Sequence, residues 1–259
     1  MNALELDLLR ADPAGNITLL VLTPVSPALR PAAARELLRR CGAEQAGFLV
    51  PPRLGGDCRL EMMGGEFCGN ALRCLGRWWA ETHPDHAGPV RGEISGCEHP
   101  LTLWTEGDDV RAELPLPDSL SEWEGMPAAV FPGIVHALRR GPALPEEETA
   151  SLTRALCRRY AAPAAGILAL REDGRTMTPA VYVRDTDTLF FESSCASGSA
   201  AAAAILSRET PEGESVFPLR QPGGTILATA RREGGVLTGL TIAGPVLLGE
   251  PFRVSVSLD

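Results

Sequence analysis

The chain has 259 residues, with 24 basic and 33 acidic side chains and a net charge of −9. That balance argues against nucleic acid or an anionic membrane as the main partner. No apolar run reaches the ~20 residues of a membrane span, and 44% hydrophobic residues can fill one large core or two modest ones.

In chain order, Leu4 to Leu9 alternates apolar and polar residues as a strand does, 11–16 is a turn, and Ile17 to Leu22 is a second strand. Helical spacing covers Pro31 to Cys41, with the proline in the first turn. Strands are expected at 46–50 and 59–63, and a helix over Ala71 to Thr82, ended by His83-Pro84. Short strands fit 90–95, 100–105 and 110–114. The proline-rich, acidic stretch Leu114 to Pro127 reads as a domain boundary. Beyond it, Ala128 to Leu138 is apolar around a Pro132-Gly133 turn, and Pro145 to Tyr160 reads as a helix with acids first and arginines last. Strands fit 165–170, 178–183 and 188–191. The helical run from Ala200 to Ser207 has no polar face and is expected to be buried all round. Gln221-Pro222-Gly223-Gly224 is a turn, and strands fill much of 225–257.

Two stretches share one design. Glu66-Phe67-Cys68-Gly69-Asn70-Ala71 joins a strand to a helix, and so does Glu192-Ser193-Ser194-Cys195-Ala196-Ser197-Gly198-Ser199. Each places a cysteine where the first N–H groups of a helix point outward, a setting that favours an anion and activates a thiol. A lone free cysteine is most often a small buried hydrophobe. Two in duplicated strand–turn–helix settings point instead to one site with a thiol on each side of a substrate. Cys74 lies on another helix face and reads as core, with Cys41, Cys58, Cys97 and Cys157.

The chemistry such a pair suits is proton transfer at the α-carbon of an amino acid. One thiolate takes the proton, the opposed thiol returns one, and the helix N-termini hold the carboxylate. The chain contains no lysine, so a pyridoxal phosphate Schiff base cannot form. There is no clear P-loop or dinucleotide fingerprint, and no cofactor or metal is expected. His83, His86 and His99 have no metal-ligand spacing.

These residues resemble the diaminopimelate epimerase superfamily of pyridoxal-independent racemases. The marks are Cys68-Gly69-Asn70 with Arg73-Cys74 after it, the second Cys-small-Ser-Gly motif, Gly15-Asn16 as the family's N-terminal Gly-Asn, and Gly133-Ile134-Val135-His136 as a worn Gly-Asn-Pro-His. Within the superfamily the chain is most similar to the histidine racemases of staphylopine-type opine metallophore biosynthesis. Matching stretches are 13–16, 44–48, 66–71, Ser95-Gly96-Cys97, 192–195 and 221–224.

The resemblance implies an α/β (α+β) fold of two pseudo-symmetric domains, each a curled, mainly antiparallel sheet around a central helix. The expected limits are 1–118 with Cys68 and 119–247 with Cys195, the strand 248–259 returning to the first domain. It further implies Cys68 and Cys195 as catalytic residues. Asn16, Glu44, Gly69, Asn70, Ala196, Ser197, Gly198 and Ser199 are the expected substrate-binding positions. Glu66 and Glu192 are candidates to orient or tune the thiols and read equally as surface acids near a helix start. His136 is a candidate substrate contact, though a structural histidine fits it slightly better, and Tyr182 a candidate to line the pocket. The Glu-Arg-Gly run with which diaminopimelate epimerases hold the distal end of their substrate is missing from 184–191, which disfavours that substrate.

The expected partner is a small amino acid, with histidine first and a homodimer left open. The odd cysteine count, the absence of a Cys-x-x-Cys pair and the acidic start at 1–7 without a secretory pattern point to the reducing cytoplasm. Two rivals stay open: a racemase or epimerase of another amino acid, and a non-catalytic ligand-binding or thiol redox-sensing protein.

Overall fold

The computed structural model describes residues 3–184 and 187–257. By internal contacts the chain divides into two units, 1–112 with 243–259 and 113–242.

In the first unit the strands are β1 (Ala3–Asp12), β2 (Thr18–Val21), β3 (Gln45–Val50), β4 (Cys58–Met62), β5 (Val90–Ile94), β6 (Leu101–Glu106) and β7 (Asp109–Glu113). They lie side by side in the order β7-β6-β5-β4-β3-β2-β1. Helix α1 (Arg30–Cys41) makes the crossover between the parallel strands β2 and β3, as parallel pairing requires. Helix α2 (Gly69–Thr82) does the same between β4 and β5. The α1 face is closed by Leu6, Leu8, Leu19, Val21, Ala34, Leu37 and Phe48. Helix α2 is buried over its first eight residues, Gly69 to Gly76.

In the second unit β8 (Ser119–Trp123), β9 (Met126–Phe131), β10 (Ile134–Arg140), β11 (Ala164–Leu170), β12 (Met177–Val183) and β13 (Thr188–Phe191) form a sheet in the order β13-β12-β11-β10-β9-β8. Its one parallel pair, β10 with β11, is again spanned by a helix, α3 (Glu146–Tyr160). Helix α4 (Ala196–Leu206) packs against β9, β10 and β11, and against β14 (Gly213–Gln221) and β15 (Gly224–Glu233). Ten of its eleven residues are buried. The run of alanines lets strands approach from several sides at little side-chain entropy. The β14–β15 hairpin is followed by β16 (Val236–Pro245), β17 (Leu247–Leu248) and β18 (Phe252–Ser257). The last two belong to the first unit, where they pair with β1.

Three sequence expectations change. The stretch 114–127 is no linker: it holds β8 and the start of β9, joined by a tight turn in which Glu124 and Gly125 have φ of 49° and 74°. Its prolines misled because Pro115 and Pro117 stop short of β8 and Pro127 lies near the start of β9, while the acid Glu122 is tolerated on the edge strand β8. Strand β14 was not foreseen, since Pro218 sits within it, and it too is terminal in its strand order. The unit boundary falls at 112/113 and not 118/119, because the Leu114 N–H donates to the Leu240 carbonyl of the second unit. The return begins at 243, not 248.

One buried ion pair holds the β3–β4 loop. Arg59 and Glu93, 2% and 0% exposed, meet at 2.9 Å. The Glu93 carboxylate also accepts from the backbone N–H groups of Arg53, Leu54 and Gly56 at 2.6–2.9 Å. Although burial opposes ionisation, these three amides and the Arg59 guanidinium lower its pKa to about 2. A depressed carboxylate stabilises the fold above its unfolded pKa of ~4.3, and that stability fades as pH falls toward the folded value. Glu93→Gln is therefore expected to destabilise the protein at pH 7 by about 1–3 kcal/mol, since Arg59 keeps Glu61 but loses the Glu93 charge. Urea unfolding from pH 5 to 2 checks it: the variant should show a flatter acid dependence than the wild type.

Candidate active site

The first cysteine setting grows from the end of β4. Met63, Gly64 and Gly65 turn the chain, and Cys68 becomes the N-cap of α2 with extended backbone, φ −137° and ψ 110°. Its sulfur accepts the Ala71 N–H at 3.4 Å. The thiol thus takes the place of the usual serine or aspartate cap and receives a donor the helix cannot satisfy itself.

Behind it lies a knot of amides. Asn16 Oδ1 accepts from Gln45 Nε2 at 2.7 Å and from Asn70 Nδ2 at 3.2 Å, while Asn16 Nδ2 donates to Glu44 Oε2 at 2.6 Å. Gln45 also reaches Thr18 Oγ1 at 2.8 Å. Asn16, Glu44 and Asn70 are therefore brought together, and Gln45 is a member that sequence reasoning left without a role. Glu66 is exposed, and its carboxylate accepts from the Gly64 N–H at 2.9 Å, which gives it a turn-stabilising contact.

The approach to Cys68 is braced by Ser95 and Gly96. Ser95 Oγ donates to the Glu66 carbonyl at 2.8 Å and accepts from the Met62 N–H at 2.9 Å. Gly96 has φ 74°, and a Cβ there would lie 2.9 Å from the Glu66 carbonyl carbon and run into the Phe67 backbone. Cys97, on the same turn, is half-buried, with its thiol near the His99 carbonyl at 3.3 Å, and Cys41 is also half-buried. Neither is the core residue expected, whereas Cys58, Cys74 and Cys157 are buried.

The second unit repeats the device. Cys195 caps α4 with φ −118° and ψ 110°, and its sulfur accepts the Gly198 N–H at 3.2 Å. Gly198 has to be glycine: a Cβ would stand 2.7 Å from Leu168 and 3.0 Å from the Cys195 sulfur. Gln221, on the unexplained 221–224 block, accepts the Cys195 N–H at 2.8 Å and donates to Ser199 Oγ at 2.9 Å, and Ser199 Oγ donates to the Cys195 carbonyl at 2.7 Å. Ser197 Oγ lies 3.5 Å from the Cys195 sulfur and 3.0 Å from His136 Nε2. Ala196, next to the cap, is buried.

Burial drives the Cys195 thiol well above its ordinary value, and the charge and hydrogen bond of Glu192 add to this against the Ser197 and Gly198 contacts. It rests as a thiol. Burial also lowers His136 to about 3, so its imidazole is neutral at physiological pH. Its ring nestles against Gly166, where a Cβ would lie 2.8 Å from Cε1.

Tyr182 belongs elsewhere. It pairs with Ala165 across β11–β12 and shares the α3-side core with Leu156, Cys157 and Ile167. Gly166 and Leu168, which alternate with those positions, face His136 and the Cys195 turn. Its hydroxyl donates to Asp187 at 2.8 Å. Tyr182 is a packing residue on the far face of the sheet and not a pocket wall. In the 184–191 stretch, residues 185 and 186 lie outside the described residues. Among the described residues no group of three His, Cys, Asp or Glu side chains could hold a metal, and no helix is long and apolar enough to cross a membrane.

Solved structures share this fold. A probable proline racemase from Agrobacterium radiobacter K84 superposes with a TM-score of 0.65 at 16% identity over 98% of this chain and 93% of that one. A hydroxyproline epimerase from Agrobacterium vitis gives 0.64 at 14% identity with the same coverage. Fold and sequence together define a pyridoxal phosphate-independent racemase, an isomerase that acts on an amino acid. The family model described as "Histidine racemase CntK N-terminal domain" matches residues 5–249, and the chain belongs to that histidine racemase family. Relatives include a histidine racemase of Staphylococcus aureus (strain Mu50), 24% identical over 254 residues, 90% of this chain and 91% of the relative. Another from Fusobacterium nucleatum subsp. nucleatum is 29% identical over 214 residues, 76% and 78% of the two chains.

Two outcomes are expected from this geometry. Gly198→Ala should cut racemisation about a hundredfold, since a 1 Å misplacement of a reacting group costs that much; an unaltered rate in a folded variant would contradict the close approach. The His136 imidazole should stay neutral from pH 8 down to 5, read as flat ring ¹⁵N shifts by NMR.

Proposed function

We propose that the protein interconverts L- and D-histidine with Cys68 and Cys195 as its acid/base pair. What supports this most is one repeated geometry. In each unit a cysteine caps a helix that is buried from its first turn, and its sulfur receives the N–H three residues on, at 3.4 Å for Cys68 and 3.2 Å for Cys195.

The α-proton of an amino acid is very weakly acidic, so the base must be strong, oriented and dry. In this reading the Cys68 thiolate removes the proton from one face of the α-carbon. The Cys195 thiol, kept protonated by burial and Glu192, delivers its proton to the opposite face. The α-carbon inverts, Cys68 ends as thiol and Cys195 as thiolate, and that form accepts the opposite enantiomer. Electron density spreading into the carboxylate is met by the first-turn N–H groups of α2 and α4. Acid–base participation supplies ~10²–10⁴-fold, and oriented donors and exclusion of water supply the rest.

Asn16, Glu44, Gly69 and Asn70 line the first half-site in this reading, and Ala196, Ser197, Gly198 and Ser199 the second. Glu44 is the candidate contact for the imidazole. The two units correspond to two half-sites, and a homodimer is the proposed assembly. All seven cysteines are free thiols, and a reducing cytoplasm preserves them. D-histidine made there would feed an opine metallophore.

The test is α-proton exchange in D₂O under reductant, followed by NMR, with L-histidine beside LL-diaminopimelate, L-proline and other amino acids. Exchange with histidine and appearance of the D-form are expected. Cys68→Ser and Cys195→Ser should each lose at least ~10²-fold while folded. Wild-type rates in both would sink the two-thiol mechanism, and exchange only with another amino acid would replace histidine.

A further inference from the structure

Five residues after Cys68, helix α2 carries an arginine with no exposed surface at all. None of the three Arg73 guanidinium nitrogens has a hydrogen-bond partner among the described residues. A buried arginine stays charged and normally forks onto a carboxylate or backbone carbonyls. The neighbouring Arg59 does so with Glu61 and Glu93.

Side chains in an α-helix slope back toward its N-terminus. A long side chain at Arg73 therefore reaches back over Gly69 and Asn70, toward the turn that Cys68 caps. The groups whose charge it feels are Cys74, Cys68 and Asp109, in that order. Cys74 is fully buried and pushed up to about 12, so it remains a thiol. Asp109 opens β7 on the exposed surface, where water screens it.

The carboxylates on the other elements near α2 are engaged elsewhere: Glu44 accepts from Asn16, and Glu61 of β4 pairs with Arg30 and Arg59. Strand β2 has no titratable residue, and Cys58 of β4 is pushed up to about 12. On β5, Glu93 alternates with Gly92, the residue that meets Leu72 of α2, and is held by Arg59 on the other face; Glu106 of β6 is exposed. Cys68 remains.

We propose that Arg73 is the standing countercharge of the Cys68 thiolate, a positioning residue that acts through the sulfur and does not touch substrate. The assignment deepens the reading of Cys68 as a proton-transfer group and rests on it. With the helix N-terminus, it gives the first thiol two sources of positive potential. The second thiol meets the carboxylate of Glu192 instead. The pair is thereby poised with the base on α2 and the acid on α4.

The experiment reads the sulfur directly and needs no substrate. The rate of iodoacetamide alkylation at Cys68, followed by peptide mass spectrometry from pH 6 to 10, measures its thiolate fraction. Arg73→Gln is expected to raise the midpoint by about one pH unit, which is tenfold less thiolate at neutral pH, and Arg73→Lys to raise it less. Arg73→Met removes the charge without leaving a polar group unpaired and takes over should the Gln variant not fold. An unmoved midpoint in a folded charge-free variant overturns the assignment, whatever its activity. A wild type inert toward every amino acid, but with a midpoint that moves in the variants, would remove the racemase reading and leave the Arg73–Cys68 coupling standing.

Discussion

A helix that begins inside a protein brings its own polarity problem with it. Its first N–H groups have no partner in the helix, and burial denies them water. In α2 and α4 one of those donors goes to a cysteine sulfur. The arrangement satisfies the backbone and at the same time places a polarisable, ionisable atom in the positive end of the helix dipole. Much of the surrounding structure serves this contact: the small residues after each cysteine, the sheet strands that bury each helix, and the side chains that hold each loop in register.

The two halves solve the same backbone problem with different electrostatics. Near Cys68 lie amides knotted through Asn16, Gln45 and Asn70, with the Glu44 carboxylate on Asn16 and a buried arginine in the same helix. Around Cys195 the partners are a hydroxyl, a neutral imidazole and a carboxylate. A duplicated scaffold with unequal charges separates the tendencies of two identical side chains. A racemase needs one proton held and one proton missing at the moment substrate arrives.

The supporting residues explain why several blocks of sequence are distinctive without carrying chemistry. Gln221 bridges the Cys195 amide and Ser199, Gln45 bridges Asn16 and Thr18, and Ser95 with Gly96 presses on the backbone before Cys68. Each fixes the position of a backbone segment beside a cysteine, and small displacements of such segments have large effects on proton transfer.

The sequence by itself determined the two cysteine-capped helix starts, the alternation of strands and crossover helices, the burial of α4 and the exclusion of a lysine-borne cofactor. Those features are local: cap position, periodicity and composition are written within a dozen residues. Only the tertiary structure decided the rest. Ser119–Trp123 became a strand between proline-bearing flanks, and Gly213–Gln221 did so despite Pro218, because each took an edge position. Tyr182 turned to the α3 face because strand parity placed it opposite Ala165. Arg73 lost every hydrogen-bond partner among the described residues because the sheet closed over the first turns of α2. Edge position, facing and burial are set by pairings between residues far apart in the chain, and no window of sequence contains both members of such a pair.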